Sequence, residues 1–209
     1  MKILIVDDHE FTREGISLIL TQAFEVTKIS QAFSFETAMK EFRETKFDLI
    51  ILDITLKGRS GLEILTEIRL TDKKVAILVL SMVPVSQYVR RVLQAGATGY
   101  LTKGESAEEL LRAVRLLINR QRYFSPEVQQ ELPTLIDEVT ERTTFDELTD
   151  RELEILRELA QGKNIKVIAD EFQLSANTVN SYRKRIMIKL HAQSNLDIIR
   201  YAYKHGFVQ

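Results

Sequence analysis

The 209-residue chain contains no cysteine, which excludes disulfides, thiolate metal sites and a cysteine nucleophile. Three prolines and eight glycines are far too few for a collagen-like fibre. Neither sign of charge dominates: 29 Lys and Arg stand against 30 Asp and Glu, a net of −1, so bulk charge announces no nucleic-acid partner. Long apolar runs are missing too. Stretches such as residues 3–6 and 49–52 fall well short of the roughly 18–20 residues that a membrane helix needs. Nothing at Met1 reads as a charged start followed by an apolar stretch, so no secretory signal is expected. What remains is 44% hydrophobic and 28% charged, the profile of a soluble globular protein, expected in the cytoplasm and away from membranes. The length suits one large domain or two small ones.

The distribution of charge says more than its sum. Residues 145–171 carry 4 Lys/Arg against 8 Asp/Glu, whereas 172–209 carry 6 (Arg183, Lys184, Arg185, Lys189, Arg200, Lys204) against Asp197 alone. A basic block thus closes a neutral chain. A solvated helix face has the same composition, so charge alone does not decide its role.

Short apolar runs alternate with helical spacing over the first half. Strands are expected at 2–7 (KILIVD), 25–29, 47–53 (FDLIILD), 75–81 (VAILVLS) and 98–102. Helices are expected at 12–22, 34–44, 61–70, 86–95 and 106–120, the last opened by an S-x-x-E capping box at Ser106 and Glu109. Continuously apolar strands imply burial on both faces, and strict alternation implies parallel order. The expectation is an α/β fold with a doubly wound, five-stranded, flavodoxin-like parallel sheet over 1–122. Residues 123–145 hold Pro126 and Pro133 with only a thin apolar pattern, and read as a linker. From 146 to 209 strand signals vanish. Helices at about 150–161, 165–172, 177–190 and 196–205 make a small all-α domain.

Ligands of a doubly wound sheet bind beyond the carboxyl ends of its strands. Those ends carry Asp7 and Asp8, then Asp53, then Ser81, then Lys103. Each aspartate alone is a common turn or cap residue. Together, three carboxylates repel one another unless a cation intervenes. Mg2+ prefers carboxylates, waters and a phosphate oxygen, and a carboxylate can itself accept a phosphoryl group. Other phosphate chemistries lack their residues: there is no G-x-x-x-x-G-K-[ST] and no G-x-G-x-x-G after the first strand. Asp53 is followed by Ile54 and Thr55, without the second aspartate of an aspartate-dependent phosphatase. The isolated histidines His9, His191 and His205 offer no histidine cluster or triad.

Residues 1–122 resemble the receiver domains of bacterial two-component response regulators. The matching residues are I5-V6-D7-D8-H9, L52-D53 with Gly61 eight positions on, L80-S81, and G96-A97-T98-G99-Y100-L101-T102-K103. The resemblance implies that a histidine kinase phosphorylates Asp53. It implies Mg2+ held by Asp8, Asp53 and the Thr55 carbonyl, with Asp7 acting through water. Lys103 would pair with the phosphoryl group, Ser81 would move inward to it, and Tyr100 would follow by turning inward. The chain departs from the family at Leu56 and Lys57, where Met-Pro is frequent, at Gly104, where many members have proline, and at Met82, where many have a small residue. Lys57 and Met82 are expected to flank the route of an attacking water.

Residues 165–190 have the form of a helix-turn-helix, turning at 173–175. Along the second helix Val179, Tyr182, Ile186 and Leu190 recur at core spacing, while Asn180, Ser181 and Lys184 share the other side, beside Arg183 and Arg185. Asn and Lys can read base edges and arginines suit phosphates. No acid occurs from Phe172 to Leu196. The segment resembles the LuxR-type output domain through L148-T149, R151-E152, A160, G162, I168-A169, L174-S175, T178-V179, I186 and K189-L190. That resemblance implies DNA contacts by Thr178, Asn180, Ser181, Arg183, Lys184, Arg185 and Lys189. Lysine and histidine are common where Asn180 and Tyr182 stand, so the preferred DNA sequence is expected to differ from that of the commonest members.

The combined expectation is a NarL/FixJ-type transcription regulator, not an enzyme, that binds double-stranded DNA under control of Asp53 phosphorylation and pairs as a homodimer when phosphorylated. One rival is a relay that passes its phosphoryl group on, which leaves the basic helix without a use. Another is a constitutive DNA binder whose receiver serves only dimerisation, which leaves the intact Asp7, Asp8, Asp53, Ser81 and Lys103 set without one.

Overall fold

The computed structural model describes residues 1–56, 59–82, 85–126, 128–129 and 148–204. Most of the stretch read as a linker lies outside them. The chain divides into two compact units, Met1–Pro133 and Thr134–Gln209.

The first unit is a parallel sheet of β1 (Lys2–Val6), β2 (Lys28–Ala32), β3 (Leu49–Asp53), β4 (Ala76–Ser81), β5 (Gly99–Thr102) and β6 (Tyr123–Phe124), in the order β2-β1-β3-β4-β5-β6. Between them run α1 (Glu10–Ala23), α2 (Phe35–Glu44), α3 (Gly61–Thr71), α4 (Val85–Gln94) and α5 (Ala107–Ile118). Side chains alternate across a strand. On one face Ile3, Ile5, Leu49, Ile51, Leu78, Leu80 and Leu101 form a core with Ile16 and Leu20 of α1 and Leu110, Ala113, Val114 and Leu117 of α5. The alternate residues Leu4, Val6, Ile50, Leu52, Ile77, Val79 and Tyr100 are equally buried on the other face, the side of α2 and α3, which pack on each other. Burial on both faces is why these strands read as unbroken apolar runs.

Two expectations about the sheet need correction. The second strand lies at Lys28–Ala32, with Lys2 opposite Lys28 and Val6 opposite Ala32, not at 25–29. It is an edge strand whose buried positions are Ser30 and Ala32, so its apolar signal is weak. The sheet also has a sixth strand where the linker was expected to begin. Tyr123 pairs with Gly99 and Phe124 with Tyr100, and the Tyr123 hydroxyl donates to Glu109 of α5.

The second unit is helical: α6 (Asp150–Ala160), α7 (Ile165–Glu171), α8 (Ala176–Lys189) and α9 (Asn195–Lys204). α6 packs on α7, α8 and α9, and α7 on α8. Leu153, Leu156, Ile168, Ala169, Phe172, Val179, Ile186, Ile198 and Ala202 are its buried apolar residues. Polar caps set the helix starts: Thr149 accepts from the Glu152 N–H, Asn164 from Lys166 and Val167, and Ser175 from Thr178. Between α7 and α8 the chain reverses at Gln173, whose φ is 53°, and the Leu174 N–H reaches back to the Ala169 carbonyl at 2.8 Å.

Gly61 decides the loop after β3. A methyl group there would lie 2.0 Å from the Asp53 carbonyl oxygen, and the Gly61 N–H donates to the Ile54 carbonyl at 2.9 Å. Gly15, inside α1, has open space at the same position. Alanine is therefore expected to act with opposite signs. Gly61→Ala should destabilise the receiver unit by at least about 2 kcal/mol through overpacking. Gly15→Ala should stabilise it by about 0.5–1 kcal/mol through helix propensity. Urea unfolding of both variants checks this, and shifts of the same sign would contradict it.

Candidate functional site

In this strand order the chain leaves β1 towards β2 on one side and returns to β3 on the other, so the winding reverses at β1/β3. Asp7 and Asp8 follow β1 and Asp53 ends β3, the pair on one side of that crevice and the single aspartate on the other. The backbone fixes them locally. The Asp7 N–H donates to the Ala32 carbonyl at 3.1 Å, and the Arg13 guanidinium donates to the Asp7 carbonyl at 2.7 Å.

Lys103 follows β5, and its ammonium lies 2.6 Å from Asp53 Oδ2 and 2.7 Å from Asp7 Oδ2. Asp7 and Asp53 are buried. The side chain of Asp8 is 6% exposed. The other oxygens are occupied as well: Asp53 Oδ1 accepts from the Thr55 N–H at 3.0 Å, and Asp7 Oδ1 accepts from the His9 N–H at 2.8 Å. Burial pushes the Asp53 carboxyl up to about 6. Lys103 opposes that rise and the Asp7 charge adds to it. Burial alone would lower the Lys103 ammonium, but Asp53 and Asp7 outweigh it and hold it above its ordinary value. One ammonium thus pairs with two buried carboxylates, and Asp8 lies beside them against His9. Ligand atoms of Asp7, Asp8, His9 and Asp53 all lie within 4.8 Å of one another. Hard oxygens around uncompensated negative charge suit a divalent cation.

Ser81, at the end of β4, is fully buried, and its carbonyl accepts from the Lys103 N–H at 2.9 Å. By register Val79 stands opposite Tyr100, so Ser81 and Tyr100 share the sheet face away from α1 and α5. Tyr100 is fully buried. Met82 is 67% exposed. Lys57 lies outside the described residues.

In the second unit Asn177, Asn180, Ser181, Lys184 and Ile188 recur three and four residues apart on one side of α8, opposite the buried Val179 and Ile186. Ser181 and Lys184 are exposed and Asn180 is half-buried. The Arg185 guanidinium lies 5.5 Å from the Tyr182 ring centroid. Other residues expected at DNA have intramolecular partners. The Thr178 hydroxyl meets Ser175 in the helix cap at 2.8 Å. Arg183 Nε donates to Asn195 at 2.6 Å. Lys189 Nζ donates to Glu152 at 2.5 Å. Sequence reasoning left Ile188 unremarked, although it is 74% exposed. Its signal was there: it lies one turn beyond Lys184, off the core spacing.

Two family models match: a response regulator receiver domain over residues 3–115 and the LuxR family of bacterial regulatory proteins over 146–202. The response regulator GacA of Pseudomonas syringae is 34% identical over 209 residues, covering 100% of this chain and 98% of that protein. The response regulator UvrY of Escherichia coli K12 is 32% identical over 207 residues, covering 99% and 95%. The chain belongs to the two-component response regulators. It is of the NarL/FixJ type, with a DNA-binding LuxR-type output domain, in a family of regulators rather than enzymes. Solved structures of the RcsB response regulator of Salmonella typhimurium share its fold. One has a TM-score of 0.69 at 22% identity over 98% of each chain. Another, bound to promoter P1flhDC in the presence of the phosphomimetic BeF3-, has a TM-score of 0.65, again at 22% identity over 98% of each chain. Among the described residues no helix of the regulator is long and apolar enough to cross a membrane.

The output unit has a charged anchor of its own. Glu152 is buried and accepts from both Lys189 Nζ and the Thr149 N–H, the latter at 2.7 Å. Burial would raise its carboxyl, but these donors outweigh burial and hold it below the ordinary carboxylate value. A depressed folded pKa stabilises above the unfolded value, and that contribution is lost as pH falls through the folded one. Glu152→Gln is therefore expected to lower the urea midpoint of the output unit at neutral pH, with the gap to the parent narrowing as pH falls below the ordinary carboxylate range. A gap that stays constant with pH would assign the effect to the cap and not to the charge.

Proposed function

We propose that this regulator is switched by phosphorylation of Asp53 and then binds operator DNA through α8 as a homodimer. The observation that carries the reading is the sharing of the Lys103 ammonium by Asp53 and Asp7 at the winding reversal. A carboxylate so placed can attack phosphorus in a kinase phosphohistidine. An oxygen–phosphorus bond forms at Asp53, the nitrogen–phosphorus bond breaks, and the histidine departs with its electron pair. Lys103 then has a phosphoryl oxygen to hold, and Ser81 is the nearby hydroxyl donor that the family uses for another. Asp8, Asp53 and the Thr55 carbonyl would hold Mg2+, with Asp7 through water, and the bound ion would supply charge neutralisation of the phosphoryl group. The donor set fits it: ligand atoms of Asp7, Asp8 and Asp53 lie within 4.8 Å of one another, and two of these carboxylates share one ammonium.

The corresponding domain division is a receiver carried through β6, a connector, and an output domain from 146. Two output units on a two-fold axis would place two α8 helices about 34 Å apart, one turn of DNA. Asn180, Ser181 and Lys184 are the base-facing set, with Arg185 and Arg183 towards phosphates. A histidine kinase and DNA as partners place the protein in the cytoplasm.

Two experiments test the proposal. Asp53→Asn keeps size and removes the nucleophile. A small phosphodonor with Mg2+ is expected to add one phosphoryl mass to the parent and none to the variant, and to raise DNA affinity and sedimenting mass of the parent alone. Equal affinity and mass with and without phosphodonor would leave a constitutive binder.

The second experiment concerns α8. Lys184→Ala is expected to lose about 1–3 kcal/mol at the specific site and little on random DNA. Arg185→Ala should weaken both DNAs alike and flatten the salt dependence by about one unit of slope. Equal losses on both DNAs for Lys184→Ala would remove it from the base-reading set.

A further inference from the structure

His9 stands directly after the aspartate pair, and its ring turns into the crevice. Its Nδ1 lies 2.9 Å from Asp8 Oδ1 and 3.2 Å from Asp7 Oδ1. The side chain is 65% exposed, so the far side of the ring faces solvent. The two oxygens of Asp7 are divided between neighbours: Oδ2 faces the Lys103 ammonium, while Oδ1 faces His9. A cation on Asp8, with His9 beside it, therefore leaves the lysine pairing of Asp7 in place.

The spacing suits direct ligation. Neighbouring ligands of a six-coordinate ion with bonds of about 2.1 Å are about 3.0 Å apart. The 2.9 Å from Nδ1 to Asp8 Oδ1 matches that edge. Three oxygens alone describe a site for Mg2+, which takes oxygen ligands. An imidazole nitrogen changes the preference, because nitrogen ligands favour the later first-row ions over Mg2+.

We infer that His9 is a metal ligand of this receiver, and that through Nδ1, joining Asp8 and Asp53, it lets the acidic crevice take Mn2+, Co2+, Ni2+ or Zn2+ as well as Mg2+. The inference rests on the reading of the crevice as a cation site, and adds to it the residue that sets metal preference. Replacing His9 removes the nitrogen and keeps every carboxylate.

The test uses the full chain, its His9→Gln and Asp8→Asn variants, and Mn2+ or Ni2+ as probes. Pulsed electron paramagnetic resonance of the Mn2+-loaded parent is expected to show coupling to an imidazole nitrogen. That coupling should vanish in His9→Gln while Mn2+ remains bound. Calorimetric titration is expected to show Ni2+ affinity falling about tenfold or more in His9→Gln, and Mg2+ affinity changing less than about twofold. His191 and His205 remain in the variant, so the difference isolates His9. Mn2+ bound without nitrogen coupling in the parent, or coupling that survives in His9→Gln, overturns the role of His9 and leaves the oxygen site standing. Failure of the parent to bind Mn2+, or binding unaffected by Asp8→Asn, overturns the cation site and this inference with it.

Discussion

A single ammonium shared by two buried carboxylates organises the receiver end of this molecule. Lys103 is 2.6 Å from Asp53 and 2.7 Å from Asp7, and Asp8 adds a third charge beside them. Removing such charges from water costs several kcal/mol each unless partners compensate. Lys103 compensates only part, and Asp53 reports the remainder through a carboxyl raised to about 6. The rest of the unit holds these groups where they do not relax. Strand register places β1, β3, β4 and β5 ends together, and Gly61 lets α3 begin against the Asp53 backbone. The structure therefore holds two buried carboxylates on one ammonium, an arrangement that a cation and then a phosphoryl group would relieve.

The output unit solves a different problem with similar parts. Its reading helix must be exposed on one side and rigid on the other. Rigidity comes from α6. Arg151 lies under the helix-turn-helix corner, its guanidinium 4.2 Å from the Phe172 ring centroid and within 3.2 Å of the Phe172 carbonyl, while also pairing with Glu154 at 2.6 Å. Glu152, on the same helix, closes the Thr149 capping box and takes Lys189 from the far end of α8. The corner and the far end of the helix-turn-helix are thus tied to the first turn of α6. The cation at residue 189 contributes positive potential to the DNA side only in part, since its charge is already matched.

Much of this was legible in the sequence, for reasons that differ by residue. Asp7, Asp8, Asp53, Ser81 and Lys103 could be brought together because apolar runs mark strands, strand ends are sharp, and a doubly wound sheet puts those ends on one edge. The inward face of α8 followed from 3.6-residue spacing, and Val179 and Ile186 are fully buried. The second strand was misplaced because its inward residues, Ser30 and Ala32, carry little apolar signal. The sixth was missed because two residues have no period to read. Partners across long separations were hidden for a third reason. Helical spacing says which side Arg183 or Lys189 occupies, but not that Asn195 or Glu152, 12 and 37 residues away, lies within hydrogen-bond reach. Arg151 and Glu152 appeared only as letters of a motif, and their mechanical role emerges from the folded unit.

The energetic requirement on coupling between the two units is modest. A hundredfold change in DNA affinity corresponds to about 2.7 kcal/mol, and the same amount must be returned by DNA to the receiver. A site in perfect electrostatic balance would yield such a quantity only by breaking something. This one is already out of balance, with Asp7 and Asp53 competing for Lys103. A phosphoryl group on Asp53 would draw the ammonium to new oxygens and give Ser81, fully buried at the adjacent strand end, an acceptor. Ser81 and Tyr100 lie on one sheet face, β4 against β5, so a shift at the first would bear on the face that holds the second. Because the lysine pairing is a compromise before the reaction, redistributing it draws on interactions worth a few kcal/mol without unfolding any element, and that is the scale the coupling demands.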